Sequence, residues 1–423
     1  MKDALLTKSF LGLILLVSLT KVLIADPQLA PDVDRLQAVD SIIETAINDG
    51  LFAGASILVS SGSTVLKQES YGTADGEAKP VEKDSLFRLF SMTKPVTVVA
   101  ALILHERGEF FLDDTIDTLW PAMSDLQVYE SGEGDEMITK PVTRAPTVRE
   151  LMMHTAGFYY PYSEHPAHQK LKSIDLPKND AGIEKVSELI ASSPLLFEPG
   201  ARWNYGYSTD ILAGLVEHVS GKPFDAFLRQ EILDPLGMSD TFYQVPADKA
   251  NRLLDLYNFD DEGKLTRIEK AAESPYLSDN PVPWGGTGLV GTINDYWQFC
   301  RMLLQDGEFD GIRIISPASA KYLLTNHLAV GEIPFEAPGS PYERFSKGYG
   351  FGLGVKVMVD PSINGNPVSV GEAGWSGAAS THFWLIPEHD VVVMFFTQNR
   401  GYLKIQPLAE KVKLAVYHSL TPL

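Results

Sequence analysis

The residues with the clearest chemical potential stand in the stretch "LFRLFSMTKPVTV", residues 86–98. Ser91 and Lys94 are three positions apart, so on a helix they share one face. Pro95 has no backbone N–H and fits only the first helical turn, which places Ser91 at the helix N-terminus. The free N–H groups there favour negative charge that develops on an oxygen. The pair could therefore supply a serine nucleophile and its base.

Lys94 can act as a base near neutral pH only if its pKa falls. Residues 95–107 are almost wholly apolar and predict a buried helix that is closed by Gly108. Such surroundings lower a lysine pKa, and a fall of about three corresponds to about 4 kcal/mol, which buried lysines reach. The spacing alone is not specific, because Ser18 and Lys21 share it.

Two later stretches could supply partners for this pair. Tyr205 follows a turn at Pro199 and Gly200 and precedes a helical pattern, so its phenol could enter a crevice and shuttle protons beside a lysine. The stretch "GEAGWSGAASTHFWLIPEHDVVVMFFTQ", residues 371–398, enters an apolar strand through glycines that allow close backbone approach to a ligand. A backbone N–H on that strand could form half of an oxyanion hole.

The remaining pattern describes the elements that must position these residues. A helix is predicted over 31–49, a hairpin over 53–72 and further strands after residue 345. The middle of the chain predicts short helices and exposed excursions such as "YYPYSEHPAHQK". The economical fold is α/β (α+β), with an antiparallel sheet from both chain ends, flanking helices and an all-helical subdomain. We expect a site in the crevice between the two parts.

Composition restricts the class of protein and its partners. The 423 residues are 44% hydrophobic, which suffices for a large core, and the formal net charge of −20 disfavours binding to nucleic acid. Cys300 is the only cysteine, so neither an intramolecular disulfide nor a thiolate zinc site can form. No cofactor or metal is expected, and the sequence does not indicate an oligomeric state.

The N-terminal segment predicts export from the cytoplasm. Basic residues precede the apolar run Phe10–Leu19, and the pattern over residues 1–25 is typical of a secretory signal peptide. Lys21 interrupts an apolar stretch that is short for a membrane span, which favours cleavage over an uncleaved anchor. We therefore expect a periplasmic or secreted protein, residues 26–423, with no stable membrane insertion after cleavage.

Six stretches resemble one family in their order, and the resemblance runs from about residue 34 to residue 416. They are "FRLFSMTKPVT", "TVRELMMHTAGF", "WNYGYSTDILAGLVEHVSG", "PLGMSDTFY", "GGTGLVGTINDYWQFCRMLL" and "GWSGAASTHFWLIPEHDVVVMFFTQN". Together they resemble the class C β-lactamase and serine-esterase branch of the penicillin-recognising serine hydrolases. The resemblance implies a β-lactamase/transpeptidase-like fold in a single catalytic domain. Its sheet part would cover about 26–90 and 285–423, and its helical part about 91–284.

The resemblance also implies a role for each candidate residue. Ser91 would be the acylated nucleophile, Lys94 its base partner, and Tyr205 the relay of the proton to the leaving group. The backbone N–H groups of Ser91 and Ala378 would form the oxyanion hole. The substrate would be a small acyl ester or a β-lactam-like molecule.

The predicted pocket, formed by Tyr207, Trp375, Ser376 and Gly377, departs from the family pattern at two positions. Tyr207 stands where members that hydrolyse β-lactams usually carry an amide, and Trp375 stands where they usually carry Lys or His. The second change removes a cation suited to a substrate carboxylate. The pocket therefore predicts an esterase for short-chain acyl esters, with weak β-lactamase activity from the shared machinery.

Other interpretations remain open at this point. A class C-type β-lactamase, a D,D-peptidase or an acyltransferase would use the same acyl-enzyme. A catalytically inactive binding protein would be expected to lose Ser91, Lys94 or Tyr205, and all three are present. His154 is interpreted as a hydrogen-bonded, structural histidine at a helix end, with a place near the site as the alternative, and Asp210 is given no catalytic role.

Overall fold

The computed structural model describes residues 29–329 and 343–422. The predicted signal peptide, residues 1–25, lies outside them and stays a prediction. The strands are β1 (Leu29–Pro31), β2 (Gly54–Ser61), β3 (Thr64–Gly72), β4 (Phe87–Arg88), β5 (Gln127–Ser131), β6 (Ile138–Pro141), β7 (Leu256–Phe259), β8 (Leu265–Glu269), β9 (Val290–Gly291), β10 (Glu308–Phe309), β11 (Ile312–Arg313), β12 (Tyr349–Phe351), β13 (Lys356–Met358), β14 (Ala373–Gly377), β15 (Thr381–Ile386), β16 (Val391–Thr397) and β17 (Leu420–Pro422). The helices are α1 (Gln37–Asn48), α2 (Thr93–Glu106), α3 (Ile116–Leu119), α4 (Val148–Met152), α5 (Pro166–Lys172), α6 (Ile183–Ala191), α7 (Ser208–Ser220), α8 (Phe224–Leu228), α9 (Ile293–Leu304), α10 (Pro317–Leu323), α11 (Glu343–Ser346), α12 (Pro361–Asn364) and α13 (Tyr402–Ser419).

A seven-stranded antiparallel sheet in the order β12-β13-β14-β15-β16-β2-β3 forms the centre of the fold. The two ends of the chain meet where β2 pairs with β16, with Leu58 opposite Met394. All residues of β15 and β16 are buried, as expected for strands covered on both faces. The prediction of an antiparallel sheet from both chain ends is confirmed.

Helices cover the two faces of this sheet. Phe383 of β15 contacts Tyr296 of α9, whereas its neighbour Trp384 faces Lys413 of α13. Adjacent residues of a strand point to opposite faces, so α9 and α13 lie on opposite sides of the sheet. α1 packs against α13.

The helical part is organised around α7, which packs against α2, α4, α6 and α8. Two short hairpins, β5–β6 and β7–β8, also lie in this stretch of the chain. α2 is buried from Thr93 to Leu104, in agreement with its almost wholly apolar sequence. Its N-terminal end meets the sheet part, and the candidate nucleophile lies at that end.

The predicted helix over 31–49 begins later than its apolar spacing indicates. α1 starts at Gln37 because the Asp32 carboxylate accepts the backbone N–H groups of Asp34 and Arg35, at 2.9 Å and 3.3 Å, and holds the chain in a turn. A short Asp side chain that captures nearby N–H groups competes with the helix for them.

A buried ionic cluster fixes α13 to the sheet. Lys413, whose side chain is fully buried, lies 2.9 Å from Glu372 and 2.9 Å from Glu410 and donates to the Tyr349 hydroxyl at 3.1 Å. We expect Lys413→Met to lower the free energy of unfolding by about 3–5 kcal/mol, because it leaves the buried carboxylate of Glu372 and the partly exposed one of Glu410 without their cation. Urea unfolding measures this, with the exposed Lys411→Met on the same helix as a control that changes little; an equally stable Lys413→Met protein would contradict the expectation.

Candidate active site

Ser91 lies in a short 3-10 turn, Phe90–Met92, immediately before α2. Phe90 adopts a left-handed conformation with φ of 45°, which is uncommon for a bulky residue. The preceding segment is held by the pairing of β4 with β9 and by the Leu89 N–H, which donates to the Leu289 carbonyl at 2.8 Å. Ser91 therefore stands partly exposed at the N-terminal end of α2, on a firmly anchored segment.

Lys94 is fully buried and its ammonium nitrogen is directed at Ser91. Lys94 Nζ lies 3.2 Å from Ser91 Oγ, within hydrogen-bond distance. It also donates to the Tyr160 hydroxyl at 3.1 Å and to the Gly286 carbonyl at 2.6 Å. These contacts fix the amine beside the hydroxyl from which a base would take a proton.

Burial lowers the pKa of Lys94 to about 7, although the charge of Asp210 raises it in part. The free amine, which is the form that a general base requires, is therefore accessible near neutral pH. The sequence-based expectation of a depressed pKa rests on the apolar helix, and burial in the fold is the cause that lowers it. The ring of Tyr205 lies over the amine, with its centroid 4.6 Å from Nζ.

Tyr205 is held on the loop before α7. The backbone N–H of its neighbour Asn204 donates to the His154 carbonyl at 2.8 Å. The ring of Tyr205 packs 4.9 Å from the ring of His154 and 5.6 Å from that of Trp375. The structure thus brings the three predicted residues together: Ser91 and Lys94 are in contact, and the ring of Tyr205 covers the lysine.

The end of β14 lies against the segment that carries the serine. A Cβ on Gly377 would be 2.2 Å from the Leu89 carbonyl oxygen, so only a glycine permits this approach. Ala378 directly follows β14, and β14 contacts the turn that carries Ser91. This arrangement suits two backbone N–H groups that converge on one oxyanion.

Aromatic side chains form two walls beside the serine. On the sheet side, Trp375 contacts Tyr205 and packs edge-on against Phe351 at 5.4 Å. On the helical side, Tyr207 contacts Tyr160 at 4.6 Å and Trp284 at 5.9 Å. The site offers apolar, flat surfaces at the two positions where the family pattern places a cation and an amide.

Ser376 points away from Trp375. Its hydroxyl lies 2.9 Å from the Tyr402 hydroxyl at the start of α13, as the alternation of side chains along a strand requires. The four predicted pocket residues are therefore not equivalent: Trp375 and Tyr207 present rings, Gly377 presents backbone, and Ser376 contacts α13.

A comparison with known proteins decides the family. The family model described as Beta-lactamase matches residues 39–416, which is most of the chain. The chain belongs to the Beta-lactamase family. The prediction of a β-lactamase-related serine hydrolase is confirmed.

Individual relatives of this Beta-lactamase-family chain can be aligned with nearly its whole length. Protein Rv1367c of Mycobacterium tuberculosis is 30% identical over 380 residues, 89% of this chain and 93% of its own. Esterase EstB of Burkholderia gladioli is 26% identical over 397 residues, 90% of this chain and 94% of its own. Among solved structures, EstCE1, a hydrolase with promiscuous acyltransferase activity, superimposes with a TM-score of 0.76 at 24% identity, over 91% of this chain and 99% of its own. The structural likeness confirms the predicted fold.

Three groups at the site of this Beta-lactamase-family chain were not predicted as functional: Tyr160, Gly286 and Asp210. Tyr160 belongs to a stretch that the sequence predicts to be an exposed loop. The tyrosines of this stretch show no periodicity that would mark them as part of a site. The excursion is exposed at Tyr162, which is 82% accessible, whereas Tyr160 turns inward to Lys94. Gly286 and Asp210 are far from Ser91 in the sequence, and it is the tertiary fold that brings them to the site.

His154 lies near the site as well as at the end of α4. It is fully buried against Tyr205 and Trp203, and burial lowers its pKa well below the usual value, as does the charge of Lys94. Neither ring nitrogen has a hydrogen-bond partner among the described residues, so the expectation of a hydrogen-bonded histidine is wrong, whereas His154 does lie near the site. Its neutral ring supports Tyr205 and adds no charge beside Lys94.

Two further features concern metals and membranes. Within residues 29–329 and 343–422, no group of three or more His, Cys, Asp or Glu side chains is placed to hold a metal ion. Among the helices in these same residues, none combines the length and apolar character needed to cross a membrane.

Proposed function

We propose that this protein is a serine esterase that hydrolyses short-chain acyl esters through an acyl-enzyme on Ser91. The observation that carries the proposal is the 3.2 Å contact between Ser91 Oγ and the amine of Lys94, whose pKa burial lowers to about 7. A buried amine in contact with a serine at a helix N-terminus is suited to activate that serine. The name of EstB, an esterase, supports the same reaction.

Acylation in this proposal begins at the Ser91 hydroxyl. The free amine of Lys94 takes the hydroxyl proton while Oγ bonds to the ester carbonyl carbon. The carbonyl oxygen becomes an oxyanion, which accepts hydrogen bonds from the backbone N–H groups of Ser91 and Ala378. The C–O bond to the alcohol then breaks, and the alcohol leaves with a proton that Lys94 supplies through the Tyr205 hydroxyl.

Deacylation repeats these steps with water. Water gives a proton to the same relay as its oxygen attacks the acyl carbon. The ester bond to Ser91 breaks, the serine regains its proton, and a carboxylic acid is released. Tyr205 lies on the Lys94 side of the site, which suits a residue that moves protons between the lysine and the exchanging oxygen.

The substrate class follows from the aromatic walls. Trp375 and Tyr207 provide apolar surface, and neither offers a cation to a substrate carboxylate. A neutral ester is therefore favoured over a β-lactam or a stem peptide, each of which carries a carboxylate. Acyl transfer to an alcohol is a second candidate. It is supported by the promiscuous acyltransferase activity of EstCE1.

A panel of substrates tests this proposal. p-Nitrophenyl acetate, butyrate and longer esters are compared with a chromogenic cephalosporin, first in water and then with added alcohol acceptors. We expect the acetate and butyrate esters to be the best substrates and the cephalosporin to be hydrolysed weakly. An inactive binding protein would turn over none of them, and a higher kcat/KM for the cephalosporin would refute the preference for esters.

Trp375→Lys tests how the pocket selects its substrate. We expect the ratio of kcat/KM for the cephalosporin to that for p-nitrophenyl butyrate to rise by about tenfold or more, because a charge-assisted hydrogen bond to a carboxylate contributes about 1.5–3 kcal/mol. Trp375→Phe is the matched control, since it shortens the ring without adding charge and should leave that ratio nearly unchanged. An unaltered ratio in Trp375→Lys would contradict the role given to Trp375.

The subclass of the chain within its family and its cellular location are proposals that rest on the sequence. We place the chain on the class C side of its family, and we propose that it is exported to the periplasm or the medium. Fractionation of cells that express the full chain, followed by N-terminal sequencing of the product, tests export. An intact N-terminus on a cytoplasmic product would exclude it.

A further inference from the structure

Lys94 and Asp210 are both hydrogen-bonded to the backbone of one residue, Gly286. The Gly286 N–H donates to Asp210 Oδ1 at 2.7 Å, and its carbonyl accepts from Lys94 Nζ at 2.6 Å. Asp210 is fully buried and lies in the first turn of α7. An acid and an amine are therefore fixed close to each other in a part of the site that water does not reach.

Tyr160 occupies the space between these two groups. Its hydroxyl accepts from Lys94 at 3.1 Å, which leaves its own proton free to point elsewhere. The other carboxylate oxygen, Asp210 Oδ2, is buried without a hydrogen bond of good geometry and is next to that hydroxyl. A small rotation of the phenolic proton would complete a chain from Lys94 through Tyr160 to Asp210.

Gly286 is the residue that permits this convergence. A Cβ there would lie 2.5 Å from Asp210 Oδ2 and 2.8 Å from the Tyr160 oxygen, closer than real Cβ contacts. The backbone of Gly286 does not require a left-handed conformation, so close approach is the reason for a glycine.

Other ionisable groups also face this pair in the part of the chain that the structure describes. Those around Lys94 are His154, Tyr160 and Tyr205, and those around Asp210 are Tyr160, Tyr207 and Tyr243. Burial keeps His154 neutral by lowering its pKa, and burial raises the pKa of Tyr160, Tyr207 and Tyr243 above the ordinary value. Among these described groups, the carboxyl of Asp210 is placed to take a proton from Lys94 through Tyr160, whereas Tyr205 serves the leaving group in the proposed mechanism.

We propose that Asp210 is a positioning residue for the base: its carboxyl takes up, through the Tyr160 hydroxyl, the proton that Lys94 must lose before it can accept one from Ser91. In this step an N–H bond of Lys94 breaks as an O–H bond forms on Tyr160. The original O–H bond of Tyr160 breaks as one forms on Asp210 Oδ2. One proton has moved, no charge has left the site, and Tyr160 is restored. The step rests on the function proposed for Ser91 and Lys94.

The proposal predicts the direction in which the acid limb of kcat/KM moves when the Asp210 carboxylate is removed. Burial raises the pKa of Asp210 to about 6, against the opposing charge of Lys94, and burial lowers that of Lys94 to about 7, against the opposing charge of Asp210. Groups so close titrate as a pair, so the acid limb of kcat/KM should follow two ionisations. Removal of the carboxylate removes what stabilises the Lys94 ammonium, so the pKa of Lys94 falls and the limb moves to lower pH.

The experiment is the pH profile of kcat/KM for p-nitrophenyl butyrate in Asp210→Asn. We expect its acid limb to follow one ionisation and to lie at least about half a pH unit below that of the wild type, while activity on the alkaline plateau falls by no more than about tenfold. An acid limb with the position and shape of the wild type would overturn the proposal. Loss of activity at every pH with an unmoved limb would indicate a structural role and would overturn it too.

Matched variants keep the test decisive. Asp295 is a second buried carboxyl in the first turn of a helix, α9, where it accepts from Thr241, and burial raises its pKa. Asp295→Asn should leave the limb in place; a shift equal to that of Asp210→Asn would overturn the proposal.

If Asp210→Asn does not fold, Tyr160→Phe replaces it. The loss of an acceptor for the Lys94 ammonium should again move the limb to lower pH, and an unmoved limb would overturn the proposal.

Labelling with a fluorophosphonate separates this inference from the proposed function. The rate at which Ser91 is phosphonylated reports the reactivity of the serine without any ester substrate. If the wild type is not labelled at Ser91, the proposed function fails and this inference fails with it. If Ser91 is labelled but the pH dependence of labelling is unchanged in Asp210→Asn, the inference alone fails.

Discussion

Ser91→Ala is expected to lower kcat for p-nitrophenyl butyrate by at least about a thousandfold. The loss follows because Ser91 Oγ is the atom that would bond to the ester carbonyl carbon, and it lies 3.2 Å from the amine that would take its proton. Removing the nucleophile removes the covalent route and leaves only binding and the backbone N–H groups. Initial rates at saturating ester measure the effect, with thermal unfolding to verify that the variant is folded.

The control for this prediction is Ser192→Ala. Ser192 is exposed at the end of α6, where its hydroxyl donates to the Leu189 carbonyl at 2.7 Å, and its replacement should change kcat by less than about twofold. Turnover that survives in Ser91→Ala, with Ser192→Ala equally active, would remove Ser91 from the mechanism and place the esterase activity elsewhere on the protein.

Lys94→Ala is expected to slow acylation by about a thousandfold. Removal of a general base commonly costs 10²–10⁴ in rate, about a factor of a thousand at the middle of that range. Rapid mixing with a p-nitrophenyl ester resolves the burst of nitrophenol that reports acylation. Lys94→Met accompanies it, since methionine fills more of the buried space and lessens the cavity that alanine leaves. A burst of unchanged rate in both variants would exclude Lys94 as the base.

Lys94→Arg distinguishes a base from a fixed positive charge. A guanidinium stays protonated in proteins and cannot accept the proton of Ser91. If Lys94 acts as a base, the arginine variant should be about as slow as Lys94→Met. If the lysine contributes only a positive charge to the oxyanion, the arginine variant should keep most of the activity.

The prediction from the sequence was successful where local pattern decides structure. Pro95 and the apolar run after it determine where α2 begins and how deeply it is buried, and the structure has both. The two strands around "SSGS" form β2 and β3, and the strands after residue 345 join the same sheet. Each of these depends on residues that lie close together in the sequence.

The remainder depends on contacts between distant segments. Tyr160, Asp210 and Gly286 are 50 to 126 residues apart in the chain, and no periodicity connects them. Tyr160 lies in a polar stretch whose composition is typical of an exposed loop, yet its ring is packed between Tyr205 and Tyr207. The direction of Ser376 toward α13 likewise follows from the register of β14, which its short motif does not specify.

The aromatic walls explain how one family scaffold could serve a different substrate. The contact of serine with lysine depends on α2 and on the loops that carry Tyr160 and Gly286, whereas Trp375 and Tyr207 stand on β14 and on the loop before α7. Substitutions in the second group can alter the charge and shape of the pocket without moving the first. The substrate preference of the pocket can therefore change while the contact between Ser91 and Lys94, which acylation requires, is kept.

The central claim is that an ester acylates Ser91. Mass spectrometry of the protein quenched shortly after mixing with p-nitrophenyl butyrate tests this most directly, since a rapid quench traps the intermediate before water hydrolyses it. We predict that the intact protein gains the mass of one butyryl group, that the modified peptide contains residues 86–98, and that fragmentation places the group on Ser91. Turnover without any adduct, or an adduct on another residue, would contradict the account.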